Sequence, residues 1–102
     1  HGEVIQEHAG DAYCMIWVLA DAIERAGSLD PEKVRDALTK TNLTKGPGAI
    51  MPGYHVEFDH TGWNKHVHPV MVQWQKGKLR SVWPIKVAAT KPTWPVPPWE
   101  KR

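Results

Sequence analysis

Residues 11–27 read DAYCMIWVLADAIERAG, and the nine residues at 12–20 within this stretch are all apolar. Asp11 can accept a hydrogen bond from a free N–H group of a first helical turn, and Gly27 is a common helix stop. The pattern predicts a helix over Ala12–Ala26 with Asp11 as its N-cap. Because its first half is apolar all round, this helix needs covering on several sides. We expect part of that cover to lie outside this chain of 102 residues.

A second helix is predicted by an acidic cap followed by proline. Asp30 is a suitable N-cap, and Pro31 fits the first helical position, where its missing N–H group costs nothing. The helix has a charged outer face and should end near Thr41–Asn42. Its narrow apolar stripe consists of Val34, Ala37 and Leu38.

The pattern then changes from helical to alternating, after glycines and prolines at 46–53. Apolar side chains at 54, 56 and 58 predict one half-buried strand, and those at 70, 72 and 74 predict another. Lys76–Lys78 reads as a tight turn before a third strand, Leu79–Trp83, so the last two strands should form a hairpin. In the tail, prolines interleave with Trp94 and Trp99, and we expect these indoles to pack on the protein itself.

These elements predict an α/β chain with two helices, about three strands and a Pro/Trp-rich tail. We assign residues 11–42 to the helical pair, residues 43–86 to the strands and residues 87–102 to the tail. The chain begins at His1 in a polar stretch, without a signal peptide or an apolar run of transmembrane length. We therefore interpret residues 1–102 as a fragment or a processed product.

Composition and charge exclude several classes of protein. Hydrophobic residues make up 41% and charged residues 24% of the chain, which is ordinary for a soluble domain and excludes a disordered chain or a coiled coil. The net charge is only +2 and the basic residues are scattered, so we expect no nucleic-acid partner. Cys14, the single cysteine, should be a small buried side chain.

Four of the six histidines lie within fourteen residues, at positions 55, 60, 66 and 68. On a strand, His66 and His68 would share one face, which is a workable geometry for zinc. However, Glu57 and Asp59 are the only carboxylates nearby, and the spacings of common zinc motifs are missing. The pattern favours solvated histidines on a polar loop and strand face, with no metal and no cofactor.

Catalysis has little support in the sequence. Cys14 lies in an apolar run, which disfavours the reactive thiolate form, and Ser28 and Ser81 lack the glycine-flanked elbow of serine hydrolases. A glycine-rich phosphate loop is missing as well. The sequence therefore predicts a protein that is not an enzyme.

Tyr13 and Asp11 are the candidate ligand-binding residues, because they stand at the predicted start of the first helix. A helix N-terminus attracts anions through its free N–H groups and dipole, so it could hold a ligand carboxylate. Asp11 could face an ammonium group of the same ligand. In the competing interpretation, Asp11 is only a cap and Tyr13 only a core residue.

Several stretches, in the same order, resemble the C-terminal part of the Leu/Ile/Val-binding protein family. Tyr13 begins an apolar run that ends in Arg-Ala-Gly-Ser, and Phe58 begins a Phe-Asp-x-x-Gly turn. The full set covers residues 13–99 and consists of Tyr13–Ser28, Leu29–Leu38, Phe58–Gly62, Val72–Lys78, Val82–Pro84 and Lys91–Trp99. Cys14 departs from the family, which more often has Asp or a small residue there.

The resemblance implies a type I periplasmic binding fold, in which two α/β lobes close on a solute and then dock on the membrane permease of an ABC importer. It places the protein in the periplasm, with branched-chain amino acids, amides or aromatic acids as solutes. Tyr13 matches a family tyrosine that can border the cleft. The resemblance also implies that the first helix lies against a parallel sheet built mostly from residues outside this chain. Without that part of the protein, the chain should bind solutes poorly and self-associate.

Two other functions remain open at this point. The chain could be a small interaction module whose Pro/Trp tail is a peptide ligand for another domain. It could also be a sensory ligand-binding domain with the same fold, since a fold does not determine a function.

Overall fold

A computed structural model of the protein describes residues 6–101, which form two compact units divided in the chain between His68 and Pro69. Residues 1–5 and Arg102 lie outside the described residues. Arg102 is the last residue of the predicted tail. The described part is an α/β chain with two helices and two small antiparallel sheets. The helices are α1 (Glu7–Ala26) and α2 (Pro31–Thr39), and the strands are β1 (Asn42–Leu43), β2 (Val56–Glu57), β3 (Met71–Gln75) and β4 (Lys78–Trp83).

Helix α1 begins five residues earlier than the sequence predicts. Gln6 occupies the N-cap position without a side-chain cap bond, and its carbonyl accepts hydrogen bonds from Ala9 N–H at 3.1 Å and Gly10 N–H at 3.2 Å. Asp11 is therefore an exposed residue inside the helix, and its prediction as the N-cap is wrong. Glu7 and Ala9 are good helix formers, so the helix continues past Asp11 towards the N-terminus.

The sequence correctly predicts where α1 ends and α2 begins. Gly27 has a left-handed backbone conformation (φ 58°), and its N–H group donates to the carbonyls of Ile23 and Glu24. The Asp30 carboxylate accepts hydrogen bonds from the backbone N–H groups of Glu32 and Lys33, both at 3.1 Å. Helix α2 stops at Thr39, slightly before the predicted end.

The core of the first unit is small and uses only one stripe of α1. Cys14, Val18 and Ala22 recur every four residues and are buried, as expected for one helix face. They lie with Ala37 and Ala49, which are also buried. The chain can pass close to α1 at Gly48, where an added Cβ would lie 3.3 Å from a Val18 methyl group. The prediction that Cys14 is buried is confirmed.

The predicted strand at 54–58 is shorter in the structure. Tyr54 has a positive φ of 48° and its N–H group donates to Met51 O at 2.9 Å, so it belongs to a turn. Only Val56–Glu57 pairs with β1, and Phe58 forms an isolated bridge with Asn64. The sequence does not predict β1, because two residues are too few to show an alternating pattern.

The second unit contains the predicted hairpin. Strands β3 and β4 pair antiparallel, and Gln75 and Lys78 flank a two-residue loop. Beyond the hairpin, the Gln73 side chain donates to Thr93 O at 3.0 Å and accepts from Thr93 N–H at 2.8 Å. The Thr93 backbone thus bonds to the hairpin. Trp94 and Trp99, however, are 86% and 70% exposed, so the prediction that both indoles pack on the protein is wrong.

Neither helix within residues 6–101 combines the length and the apolar character needed to cross a membrane.

Candidate functional site

Tyr13 and Asp11, the predicted ligand-binding residues, both lie on exposed parts of α1. Tyr13 is 48% exposed, and its ring contacts Trp17 edge to face with centroids 6.3 Å apart. Both residues lie beyond the first turn of the helix. The free N–H groups that the sequence analysis expected to hold a ligand carboxylate beside them are therefore not at their position. Side chains two residues apart on a helix point about 160° apart. One small solute therefore cannot contact both side chains, and the ligand-binding role of each stays a prediction.

A second candidate site consists of His55, Glu57 and His66, whose potential ligand atoms all lie within 4.8 Å of one another. His66 Nε2 is 2.9 Å from Glu57 Oε2, and His55 Nε2 is 4.0 Å from the same oxygen. The two imidazole rings stack with centroids 3.7 Å apart and an interplanar angle of 10°. Two imidazoles and a carboxylate oxygen are donors that suit divalent transition metals.

The backbone brings these three residues together at the edge of β2. His55 and Glu57 are two residues apart on an extended segment, so their side chains lie on one face. The chain turns after Phe58 and returns, and Lys65 N–H donates to Glu57 O at 2.9 Å. This return places His66 beside both residues.

The Asn64 side chain holds the site residues in register. Its Oδ1 accepts hydrogen bonds from Glu57 N–H at 3.3 Å and from His66 N–H at 3.2 Å. Its Nδ2 donates to His55 O at 3.3 Å. One amide therefore joins the backbones of all three site residues.

Glu57 is ionised over the whole physiological range. Hydrogen bonds from Lys65 and then from His66 lower the pKa of Glu57 to about 2. Lys65 Nζ pairs with Oε1, while Oε2 faces the histidines. The carboxylate can therefore bind a cation through Oε2 while Lys65 holds the carboxylate in its orientation through Oε1.

The histidine pair that the sequence singled out is not the pair in this cluster. His68 instead donates from Nδ1 to the backbone oxygen of His66 at 3.3 Å, and His60 is an exposed residue of the Asp59 turn. His55 and His66 are only partly exposed, at 24% and 37% of their side chains, so they are not simply solvated. The His-x-Glu alternation at 55–57 was the available signal for this site.

A groove of about 490 Å³ lies between α2 and the turn at 58–62. Two of its charged side chains, Asp59 and Arg35, are already engaged. Asp59 Oδ1 accepts from Thr61 N–H, Thr61 Oγ1 and Trp63 N–H at 2.6–3.1 Å, and the hydroxyl and N–H of Thr61 lower the Asp59 pKa. Arg35 pairs with Glu32 at 2.9 Å. The groove is therefore a poorer candidate for binding a charged ligand than the histidine cluster.

Comparison with known proteins shows sequence similarity to one kind of binding protein. It is 29% identical over 84 residues to Leu/Ile/Val-binding protein homolog 7 of Brucella melitensis biotype 1, covering 82% of this chain and 21% of the relative. It is 30% identical over 74 residues to the protein of the same name from Brucella abortus strain 2308, covering 72% and 18%. This chain is similar to Leu/Ile/Val-binding protein homologues.

The chain spans about a fifth of the length of these Leu/Ile/Val-binding protein homologues. No family model matches the sequence. The two helices and two small sheets are compatible with a piece of a periplasmic binding protein. The relatives are named for binding and not for a reaction, which agrees with the prediction of a protein that is not an enzyme.

Proposed function

We propose that this chain is part of the solute-binding component of an ABC importer, which captures a small amphipathic solute in the periplasm without changing it chemically. The similarity to Leu/Ile/Val-binding protein homologues over 84 residues carries the proposal. Branched-chain amino acids are the first candidate solutes because of that name, followed by amides and aromatic acids. The fold would be the C-terminal piece of a type I periplasmic binding protein, and the partner a membrane permease.

The exposed side of α1 supports this proposal. Five large apolar side chains of α1 are 44–67% exposed, and they are Tyr13, Met15, Ile16, Trp17 and Leu19. A contiguous apolar patch of this kind is unusual on a soluble monomer and marks a surface that contacts other protein or ligand. In a longer binding protein, the rest of the lobe would cover most of this side of the helix.

Tyr13 is the residue that we propose borders the solute cleft. It is half exposed at one end of the apolar side of α1, so its hydroxyl could reach a ligand while its ring stays packed on Trp17. Asp11 would then point away from a solute that Tyr13 contacts. Of the two predicted residues, Tyr13 should therefore have the larger effect on affinity.

The test uses the longer protein that we propose contains this chain. Leucine, isoleucine or valine should raise its unfolding temperature, and Tyr13→Ala should weaken binding at least about tenfold, in the range of a lost hydrogen bond and ring contact. Leu29→Ala, at an 81% exposed position, is the control and should leave affinity unchanged. If none of the three solute classes stabilises the protein, the proposed function is wrong.

The 102-residue chain by itself should show no measurable heat on titration with leucine, because half a cleft loses most of the contacts that bury a small ligand. Micromolar binding by the isolated chain would contradict the division of the site between this chain and the rest of the protein.

A second function, an interaction module, is favoured by one observation: Trp94 is 86% exposed in the tail. Trp94→Ala leaves the Gln73–Thr93 hydrogen bonds in place, so it separates partner binding from packing of the tail. Loss of a binding partner with unchanged stability would support the module. Co-purification with a kinase rather than a permease would instead indicate a sensory domain.

A further inference from the structure

We propose that His55, Glu57 and His66 form a binding site for a divalent transition-metal ion, and that zinc suits their donor atoms best. Two imidazole nitrogens and one carboxylate oxygen are a common zinc donor set that leaves a fourth position open. The three donors come from two segments, 55–57 and 64–66, so an ion would join parts of the chain that are separated in sequence. This proposal is independent of any solute.

The distances fit an ion after small side-chain movements. Two donors on a tetrahedral zinc ion with bonds of about 2.0–2.1 Å lie about 3.3 Å apart. Glu57 Oε2 is 2.9 Å from His66 Nε2 and 4.0 Å from His55 Nε2, so the observed distances fall on either side of that value. All three donor atoms lie within 4.8 Å of one another, so reaching the tetrahedral spacing changes no pairwise distance by more than about 1.5 Å.

The ion would replace hydrogen bonds that the histidines now make. His66 Nε2 faces the Glu57 carboxylate, and His55 Nε2 lies 2.8 Å from Asn42 Oδ1. Both oxygens are acceptors, so each ring nitrogen now donates, and metal binding requires the ring protons to sit on Nδ1. The fourth position would then be taken by the Asn42 oxygen or by water.

The stacked rings must also open. Parallel imidazoles direct their in-plane lone pairs side by side, so the two rings must tilt towards each other to share one ion. Their side chains are 24% and 37% exposed, which leaves room for this rotation. Loss of the ring stack is thus a direct spectroscopic signature of binding at this site.

Apart from that tilt and the placement of the ring protons on Nδ1, the site is preorganised. The Asn64 amide fixes the backbones of all three residues, and Lys65 holds Glu57 Oε1. A simple surface ion pair would consist of Lys65 and Glu57 alone. Here the imidazoles of His55 and His66 also face the second carboxylate oxygen of Glu57, Oε2.

The test is a calorimetric titration of the 102-residue chain with zinc chloride. We expect one ion per chain with micromolar or tighter affinity and a higher unfolding temperature with zinc. His55→Ala, Glu57→Gln and His66→Ala should each weaken binding at least about tenfold, as loss of a direct ligand does. His60→Ala, at an exposed histidine outside the cluster, is the matched control and should leave the affinity unchanged.

A second measurement does not depend on how the variants fold. In the unmodified chain, zinc should shift the ring-nitrogen NMR signals of His55 and His66 and leave those of His60 unshifted. Absence of zinc binding overturns the proposal, as does an equal loss of affinity in the His60→Ala control. Signals that shift only at other histidines also overturn it. Since no solute is present, none of these results bears on the proposed transport function.

Discussion

At the scale of single residues, Arg25 links α1 to α2 and to Thr41. Its guanidinium donates to Asp21 Oδ2 at 2.8 Å within α1, to Ala37 O at 2.7 Å in α2 and to Thr41 Oγ1 at 2.9 Å. Thr41 is only 1% exposed, so its hydroxyl needs a partner inside the protein. Arg25 thereby compensates for a core of mostly small side chains.

Arg25→Met should lower the free energy of unfolding by about 1–3 kcal/mol, because it leaves the buried Thr41 hydroxyl without this donor. Arg35→Met is the control: Arg35 pairs with Glu32 between side chains that are 67% and 74% exposed, and such pairs contribute about 1 kcal/mol or less. Urea unfolding measures both variants. An equal loss in the two would contradict the role given to Arg25.

At the scale of elements, two turns depend on unusual backbone conformations. Gly53 has a φ of 110°, and a Cβ added there would lie 2.2 Å from His66 O. Lys76 and Gly77 have φ of 53° and 70° in the two-residue loop between β3 and β4, as in the type I′ turns that suit hairpins. The first turn requires glycine for space as well as for φ, whereas the second requires only a residue that tolerates a positive φ.

Gly53→Ala should destabilise the first unit by at least about 2 kcal/mol, because a strained φ and a backbone clash add together. Gly62→Ala is the matched control, since Gly62 has a φ of 85° with nothing within 4 Å of an added Cβ. It should cost about 1–2 kcal/mol from backbone strain alone. Thermal unfolding compares the two, and a larger loss at Gly62 would show that the close approach to His66 is not important.

Lys76→Asn should stabilise the hairpin by about 0.5–1 kcal/mol, because Asn adopts positive φ at lower cost and Asn-Gly is the preferred pair in this turn. Gly77→Ala should have the opposite sign. Hydrogen exchange of the β3 and β4 amides measures the effect locally. Faster exchange in Lys76→Asn would contradict the type I′ assignment.

At the scale of the whole molecule, the exposed side of α1 is the dominant feature. The apolar run that predicts the helix also predicts that it needs more cover than this chain supplies, and the exposure of Met15 and Ile16 at 67% and 66% agrees with that expectation. We propose that the isolated chain covers this surface by self-association.

Ile16→Glu should lower the average mass of the isolated chain measured by light scattering at high concentration, because a charge at the contact must be desolvated. Ile85→Glu, at an 84% exposed position in the second unit, should leave the mass unchanged. An unmodified chain that is already monomeric would contradict the proposal.

Much of the fold could be predicted from the sequence, because it depends on local preferences. Gly27 ends α1, Asp30 and Pro31 begin α2, and Lys76–Gly77 turns the hairpin, each through the conformations open to a few neighbouring residues. The start of α1 was predicted wrongly, since Asp11 is a good cap in isolation but the helix gains more by continuing towards Glu7.

Only the tertiary structure showed the histidine cluster. His55 and His66 are separated by a turn, and they meet because Asn64 bonds to both segments at once. A periodic sequence pattern does not reveal such a contact. The contact depends on how the chain folds back between the two segments and not on the local preferences of either segment. In the same way, the sequence determined that α1 is apolar on all sides, while the tertiary structure decided that Cys14, Val18 and Ala22 form the buried stripe, because α2 and the turn at 47–49 are the elements available to cover it.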